Sequence, residues 1–450
     1  MNSKLPLIIS AAFILASGCK NSFDEPSVSR GTADFTSYVA IGGYFTSGYG
    51  DGAMHLELQQ HSFPAILASR FALAGGGPFK QPLVNPGNGM GYDQNGNFVS
   101  RIFLTIQNNC LGVNAISSYR TTGDASNFAW IGPSGPYNNL GVPGAKVFNL
   151  FSQEFGRKGS PNANPFFSRF ASDNIESSTV IDDADRVNPT FFTFWIGSED
   201  LWLYAKSGGA GRFLTDTNSV ISSNDITPVA RYRTAYQLAV AQLTDNNEEG
   251  ALASIPDIES IPYFTAIPYD GLVLTQQQAD DLNASTAGYE FVAGANAFVV
   301  LPPNTSNSRQ LGPGELVLMT VPFDSILCYG LGTPQHPIPD YYILDSSEVA
   351  NVHSATMAYN SIIASTANTY DLAFVDMSSF FKQFSQPVLF NGVPFTTNFL
   401  RNSIFSTDGL YPNARGNAHI TNEFIRAINA KYQSTIPEVD INDYPGNNLP

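Results

Sequence analysis

The chain has 450 residues, of which 43% are hydrophobic, so it is long enough to bury a large core. Only 13% of its residues are charged, and 38 Asp and Glu against 22 Lys and Arg leave a formal net charge of −16. Nucleic acid is bound through clustered Lys and Arg, and the chain has no basic run, so a nucleic-acid partner is excluded. Five scattered histidines and the lack of a Cys-x-x-Cys motif predict neither a metal site nor a cofactor.

The N-terminal residues have the pattern of a lipoprotein export signal. A lysine and an apolar segment over residues 5–15 are followed by Ala-Ser-Gly directly before Cys19. The pattern predicts a signal peptide over residues 1–18, a lipid on Cys19 and a polar tether over residues 19–33. An ordinary signal peptide with a cysteine at this place by chance is the alternative. No later stretch approaches the roughly 20 apolar residues of a transmembrane helix.

Short apolar stretches predict five strands, and most of them end in glycine or proline. The first strand, Tyr38 to Ile41, breaks at Gly42-Gly43 and presents Tyr44 at the turn, before a helix from about Ser62 to Phe71. Strands that alternate with helical segments predict an α/β fold with a parallel, doubly wound sheet. The other four predicted strands are R-I-F-L-T-I-Q (101–107), N-P-T-F-F-T-F-W-I-G (188–197), A-L-A-S-I-P (251–256) and L-A-F-V-D (372–376).

The remaining segments predict turns, an insertion and two long helices. Residues 138–147 are expected to form a glycine-broken turn that opens into a helix, and residues 260–345 an insertion or cap over the carboxyl edge of the sheet. A helix over residues 347–367 is capped by D-S-S-E. A single domain over residues 34–440 is followed by a tail over 441–450. The last helix of that domain is amphipathic, with one apolar face made of Ile420, Phe424, Ile425 and Ile428.

Two cysteines remain once Cys19 is assigned to the lipid. In an exported protein Cys110 and Cys328 could form a disulfide, but they could equally remain free buried thiols. The sequence leaves both states open.

Four sequence blocks at the predicted strand ends resemble the motifs of one enzyme family. They are V-A-I-G-G-Y-F-T-S-G (39–48), N-L-G-V-P-G (139–144), W-I-G-S-E-D (195–200), and D-G-L-Y-P (408–412) with R-G-N-A (415–418). In these blocks the chain resembles the SGNH/GDSL-type hydrolases, in particular lipoproteins of this family from Gram-negative envelopes. The resemblance covers essentially the whole mature protein. It implies a three-layer α/β/α sandwich with a flavodoxin-like, five-stranded parallel sheet.

The resemblance also implies that the chemistry of the family is lost. Tyr44 stands where the family has its nucleophilic serine, Glu199 where it has the oxyanion-hole asparagine, and Tyr411 where it has the catalytic histidine. Only Gly144 and Asp408 match their functional positions. A phenol with an ordinary pKa of about 10 is neither a small nucleophile nor a base at neutral pH. A glutamate in the oxyanion hole repels the charge that the transition state develops. We therefore expect no catalytic residues.

Three other uses of the site stay open. The two tyrosines could fill the old pocket, with one phenol hydrogen-bonded to Glu199 or Asp408. A rearranged Tyr–Glu site could be catalytic, as in glycosidases with a tyrosine nucleophile, and Ser47 is a further candidate nucleophile. A surface that binds glycans without turning them over would use Trp195 and Trp202 as ligand contacts.

The function expected from these observations is that of a catalytically inactive, SGNH-hydrolase-fold lipoprotein. It would be held on the outer membrane of a Gram-negative bacterium by the lipid on Cys19, on either the periplasmic or the extracellular face. There it would be a binding or structural subunit of a complex with another outer-membrane protein, such as a β-barrel of the transport or assembly machinery. The alternatives are an envelope esterase, acetylesterase or glycosidase with a rearranged site, and a glycan-binding surface lipoprotein.

Overall fold

The structure is a computed structural model that describes residues 27–93, 95–176, 178–216, 219–303 and 305–450. The predicted signal peptide, the lipidation site Cys19 and the first part of the predicted tether lie outside the described residues. Within the described part of the chain, no helix combines the length and the apolar character that crossing a bilayer requires.

The core of the fold is a five-stranded sheet in which every neighbouring pair of strands is parallel. In space the order is β5-β4-β3-β1-β2, which is the doubly wound, flavodoxin-like order. All residues of β1 and β3 are buried, as expected for strands covered on both faces. The predicted fold class is therefore confirmed. The strands are β1 (Tyr38–Gly42), β2 (Asn139–Gly141), β3 (Phe191–Trp195), β4 (Glu249–Ala253) and β5 (Ala373–Val375).

The second strand of this sheet was predicted wrongly. The alternating residues 101–107 do form a strand, Phe103–Asn108, but it pairs antiparallel with Asn114–Tyr119 in a hairpin apart from the central sheet. Its place in the sheet is taken by β2, inside the segment predicted to be a turn. Three residues are too few to show a strand period, so β2 is recognisable only from its pairing with β1.

Helices cover both faces of the sheet and make the outer layers. On one face α2 and α6 pack with the last helix, α7, and on the other face α3 and α4 pack with α5. Asp345 caps α5 and exchanges hydrogen bonds with Glu348, as D-S-S-E predicted. The four predicted apolar residues of the last helix are buried. The helices are α1 (Tyr44–Ser47), α2 (Phe63–Phe71), α3 (Glu199–Lys206), α4 (Val229–Gln242), α5 (Ser346–Thr369), α6 (Met377–Gln383) and α7 (Ala414–Tyr432).

Most of residues 260–345 surround a second, smaller hydrophobic core, which includes Phe298 and Val317. This segment adjoins the carboxyl edge of the sheet: the amide of Met319 donates to the carbonyl of Tyr263, and the amide of Tyr263 donates to the carbonyl of Gly409. Its elements are the strands Leu272–Leu274, Gly294–Asn296, Val299–Leu301, Arg309–Gln310, Leu316–Val317, Ile338–Pro339 and Ile343–Leu344, and the helices Pro262–Thr265, Gln276–Ser285 and Phe323–Tyr329.

Both ends of the described chain lie against the domain. The amide of Thr32 donates to the carbonyl of Tyr432, and the hydroxyl of Thr435 donates to the carbonyl of Ser27, so residues 27–33 pack on the end of α7 instead of forming a free tether. In the predicted tail, the side-chain Nδ2 of Asn447 donates to the carbonyl of Phe405. Short elements elsewhere are the strands Tyr49–Gly50, Ala53–Met54, Gly91–Tyr92, Phe98–Val99, Val388–Phe390 and Val393–Phe395, and the helices Leu56–Gln60, Gln153–Gly156, Pro165–Ser168 and Val180–Asp185.

Candidate functional site

Three of the four sequence blocks meet at the carboxyl edge of the central sheet. Gly42, the last residue of β1, lies opposite Gly141 of β2 and Trp195 of β3. The amide of Val142 donates to the carbonyl of Gly42 at 2.8 Å, and the amide of Gly43 donates to the carbonyl of Trp195 at 3.3 Å. A β-carbon on Gly42 would lie 2.3 Å from the Trp195 carbonyl oxygen, so only glycine allows this approach. The three turns are therefore locked together.

The fourth block reaches the same edge through the carboxylate of Asp408. Its Oδ1 accepts hydrogen bonds from the amides of Leu410 at 2.8 Å and Tyr411 at 3.0 Å, and from the hydroxyl of Ser406 at 3.0 Å. Its Oδ2 accepts from the amide of Gly52 at 2.9 Å. Burial raises the pKa of Asp408, and the backbone hydrogen bonds oppose that rise. The carboxylate thus organises the loop that carries Tyr411.

The side chains of Tyr44 and Tyr411 stack on each other in the centre of this site. Their ring centroids are 4.5 Å apart and their planes differ by 14°. Tyr49 meets both rings edge-on, at 4.7 Å from Tyr44 and 5.6 Å from Tyr411, and Phe45 approaches Tyr411 edge-on at 5.7 Å. Such offset and edge contacts each add about 0.5–1.5 kcal/mol beyond the burial of area. The stack therefore joins the turn after β1 to the loop before α7.

The phenol hydroxyls are not held as expected. The Tyr411 hydroxyl is buried and has no hydrogen-bond partner, and the partners of Asp408 are backbone amides and Ser406. The expected bond from a phenol to Glu199 or Asp408 is therefore wrong for Tyr411. Burial raises the pKa of Tyr411 and of Tyr44, and the nearby carboxylates of Glu199 and Asp408 raise both further. A methyl group on Gly144, whose φ is +81°, would lie 4.0 Å from the Tyr44 hydroxyl.

Glu199 opens helix α3 and is 2% exposed, with its Oε1 buried and without a hydrogen-bond partner. A β-carbon on Gly43 would lie 2.5 Å from its Oε2, so the carboxylate reaches the turn that follows β1. Burial raises the pKa of Glu199 from 4.5 to about 7, and the ammonium of Lys206 opposes that rise. Its carboxyl group therefore changes protonation state near neutral pH.

Lys206 is the site residue that the sequence interpretation missed. Its Nζ lies 5.2 Å from the centre of the Tyr44 ring. Burial lowers the pKa of Lys206, and the negative charges of Glu199 and Asp408 oppose the change. Residues seven apart lie on the same face of a helix, and Lys206 follows Glu199 by seven. That spacing puts a cation two turns further along the helix face that carries the glutamate, and its charge lowers the pKa of Glu199, so the site is less repulsive to negative charge than the sequence alone implied.

The neighbouring carboxylate of Asp200 has a structural role. It is fully buried, its Oδ2 accepts from the amide of Val147 at 2.9 Å, and burial raises its pKa to about 6. The ammonium of Lys146 opposes this rise and donates to the carbonyl of Asp225 at 2.6 Å. Asp200 therefore fastens α3 to the segment after β2 and does not face the tyrosine stack.

The two tryptophans predicted as ligand contacts lie in the core. Trp195 is 2% exposed, stacks on Phe45 at 4.4 Å and donates its Nε1–H to the carbonyl of Ser254 at 3.1 Å. Trp202 is 1% exposed and lies edge-on to Phe45 at 5.6 Å. A ring covered on both faces cannot stack on a sugar, so the expectation for these residues is wrong in this structure. Their positions at a strand end and inside an amphipathic helix are typical of core residues.

Other candidate groups are placed away from the site or are engaged. The hydroxyl of Ser47 is buried and donates to the carbonyl of Tyr44 at 2.9 Å. His419 lies among phenylalanines, with the ring of Phe395 at 4.7 Å, and burial lowers its pKa to about 4. In the ranges that the structure describes, no group of three or more His, Cys, Asp and Glu side chains could hold a metal ion. Ser47 and His419 therefore do not form the serine–histidine pair that hydrolysis requires.

No family model and no curated protein matches this chain. One solved structure to which it is similar is a lipase. The crystal structure of the extracellular lipase from Streptomyces rimosus aligns with a TM-score of 0.32 and 11% identity, over 87% of this chain and 99% of the lipase chain. The parallel pairing and the order of the five strands define the α/β fold.

Proposed function

We propose that this chain is a catalytically inactive protein with an SGNH-hydrolase-like fold that acts through binding, as a structural subunit of an outer-membrane protein complex. The observation that carries the proposal is the stack of Tyr44 on Tyr411 at 4.5 Å. Two large rings take the place in which the related hydrolases need a small hydroxyl and an imidazole. A phenol whose pKa is raised by burial stays protonated at neutral pH, so neither tyrosine supplies the nucleophile or the base.

The location in the proposal comes from the sequence around Cys19. A lipid on that cysteine would hold the domain at the outer membrane. Residues 27–33 pack on the end of α7, so only the seven residues 20–26 would separate the domain from the lipid-bearing cysteine. A protein held at this distance can contact the exposed parts of a membrane-embedded partner.

The binding role is tested by purifying a C-terminally tagged copy of the full chain from native membranes in mild detergent. We expect one outer-membrane protein to co-purify in fixed proportion, and a Cys19→Ala variant to lose both the membrane and that partner. Recovery of the tagged chain alone would contradict the proposal. A detergent extract of cells that lack the tag is the control for nonspecific capture.

The second candidate is an enzyme with a rearranged site, and the position of Lys206 favours it. A half-buried lysine over Tyr44 and beside Glu199 brings together an amine, a phenol and a carboxyl group. Turnover of short-chain p-nitrophenyl esters and acetylated sugars should be compared for the unmodified chain, Tyr44→Phe and Lys206→Met. If the chain is catalytically inactive, the unmodified chain and the two variants should show the same background rate. A rate that either substitution abolishes would establish the enzyme instead.

A further inference from the structure

The hairpin of Phe103–Asn108 and Asn114–Tyr119 projects from the domain with most of its apolar side chains in solvent. Its six residue pairs form a complete antiparallel ladder, closed by the amide of Asn109, which donates to the carbonyl of Val113 at 2.9 Å. Ile106 lies directly opposite Ile116, and these side chains are 53% and 42% exposed. An apolar cross-strand pair that faces water is unusual unless something covers it.

A disulfide joins this hairpin to the insertion. Cys110, in the turn of the hairpin, is bonded to Cys328 in the helix Phe323–Tyr329, so the pair left open by the sequence is oxidised in the structure. No residue of that helix is buried, and Phe323 and Tyr329 are 60% and 69% exposed. The covalent link places the exposed apolar residues of the two elements on neighbouring parts of the surface, which we call the hairpin surface. It consists of Ile106, Leu111, Val113, Ile116, Phe323 and Tyr329.

The edges of the hairpin lack the protection that free strand edges normally carry. The 18 residues from Ile102 to Tyr119 contain no Asp, Glu, Lys, Arg or His and no proline. Within the described residues the two strands pair only with each other, so the outer edge of each strand presents unpaired backbone N–H and C=O groups. Natural edge strands that stay in water are usually interrupted by charges, proline or bulges. This edge has the composition of one that is paired in its working state.

We infer that the hairpin surface is the docking site for the proposed outer-membrane partner, and that the partner adds an extended β-strand to an unpaired outer edge of the hairpin. This inference rests on the proposed function and names its contact. An added strand satisfies the free N–H and C=O groups while its side chains cover the apolar faces. A lipid surface offers no such groups, because hydrocarbon leaves backbone donors and acceptors unsatisfied. The disulfide holds the hairpin in place before binding, which lowers the entropic cost of docking.

The test uses the full chain in its native outer membrane, with a photo-reactive amino acid at Gln107 on the hairpin. After irradiation, mass spectrometry identifies what is covalently attached. We expect adducts with a single protein, at neighbouring residues of one extended segment. The double variant Ile106→Lys with Ile116→Lys should lower the adduct yield about tenfold. Two positive charges without partners in an apolar interface easily cost that factor in affinity.

A matched control variant is available on another hairpin. Leu389, in Val388–Phe390, is 71% exposed and lies outside the hairpin surface, so Leu389→Lys should leave the yield unchanged. Leu111→Lys in the turn, 61% exposed, tests the same surface without altering the strand ladder, should the double variant fail to fold. A thermal melt of each variant checks the fold.

Each contrary result overturns the inference in a recognisable way. Adducts with a second copy of this chain would show self-association, and adducts with lipid alone would show membrane contact. A partner that co-purifies from membranes with unchanged yield from the lysine variants would leave the proposed function standing and remove the hairpin surface from it. A tagged chain recovered alone, with no protein adduct at Gln107, would refute both.

Discussion

The ring of Tyr44 lies on the ring of Tyr411, 4.5 Å away and 14° from parallel, although the two residues are 367 positions apart in the sequence. The contact joins the turn after β1 to the loop before α7. A stack of this kind contributes to stability, so each of the two rings helps to hold the other in place.

Tyr411 lies within this stack and Tyr49 meets it edge-on, and these two buried tyrosines should respond differently to loss of their hydroxyls. The Tyr411 hydroxyl has no partner, whereas the Tyr49 hydroxyl donates to the carbonyl of Gly52 at 2.6 Å. Tyr411→Phe should leave the free energy of unfolding unchanged or raise it by up to about 1 kcal/mol, because an unpaired buried hydroxyl is removed. Tyr49→Phe should lower it by about 1 kcal/mol. Urea unfolding measures both, and a larger loss for Tyr411→Phe would contradict the burial described here.

The pKa of Glu199 should make stability depend on pH. The folded pKa of about 7 lies above the ordinary value of 4.5, so between these values the native state binds more protons than the unfolded state. The free energy of unfolding therefore falls as the pH rises through this window. The raised pKa of buried Asp200 makes the free energy of unfolding fall with pH in the same direction. The cations of Lys206 and Lys146 oppose the rise of the Glu199 pKa.

Glu199→Gln isolates the part of this pH dependence that belongs to one residue. The variant should lose less stability than the unmodified chain between about pH 5 and about pH 7.5, because its side chain does not titrate. Urea unfolding at the two pH values measures the difference. Glu259→Gln, at an exposed glutamate, should leave the pH dependence unchanged. Parallel slopes for the unmodified chain and Glu199→Gln would show that Glu199 is not perturbed.

Asp408 should contribute to stability through the hydrogen bonds that it accepts. Its two carboxylate oxygens accept four hydrogen bonds, from three backbone amides and one hydroxyl. Asp408→Asn turns one acceptor into a donor, and it should lower the free energy of unfolding by about 2 kcal/mol. Asp93, whose hydrogen bonds to Asn95 and Asn97 are solvent-exposed, provides the control Asp93→Asn, for which we expect a much smaller effect. Equal thermal shifts for the two variants would contradict this role.

The bond between Cys110 and Cys328 should govern the rigidity of the hairpin tip. It closes a loop of 218 residues, but both cysteines lie in exposed elements, so the folded core does not depend on it. The double variant Cys110→Ser with Cys328→Ser should keep its thermal midpoint within a few degrees and gain a protease cleavage site near residues 109–113. Limited proteolysis with mass spectrometry locates the cut. An unchanged digestion pattern would show that the ladder alone holds the tip.

The sequence by itself determined the fold class and most elements of the central sheet and its helices. β1, β3 and the helices α5 and α7 follow from buried apolar runs, a capping box and a 3.6-residue period, all of which act over a few residues. The identities of Tyr44, Glu199 and Tyr411 are also read directly from the sequence.

Only the tertiary structure decided how those residues use the space. Whether the two tyrosines stack or hydrogen-bond to a carboxylate depends on loops hundreds of residues apart. Asp408 accepts from the backbone amide of Tyr411, while the Tyr411 hydroxyl is buried in the stack without a partner. The position of β2, the burial of Trp195 and the approach of Lys206 to Tyr44 likewise depend on long-range packing. Such contacts have no local period, because the side chains that meet are brought together by the sheet rather than by the chain.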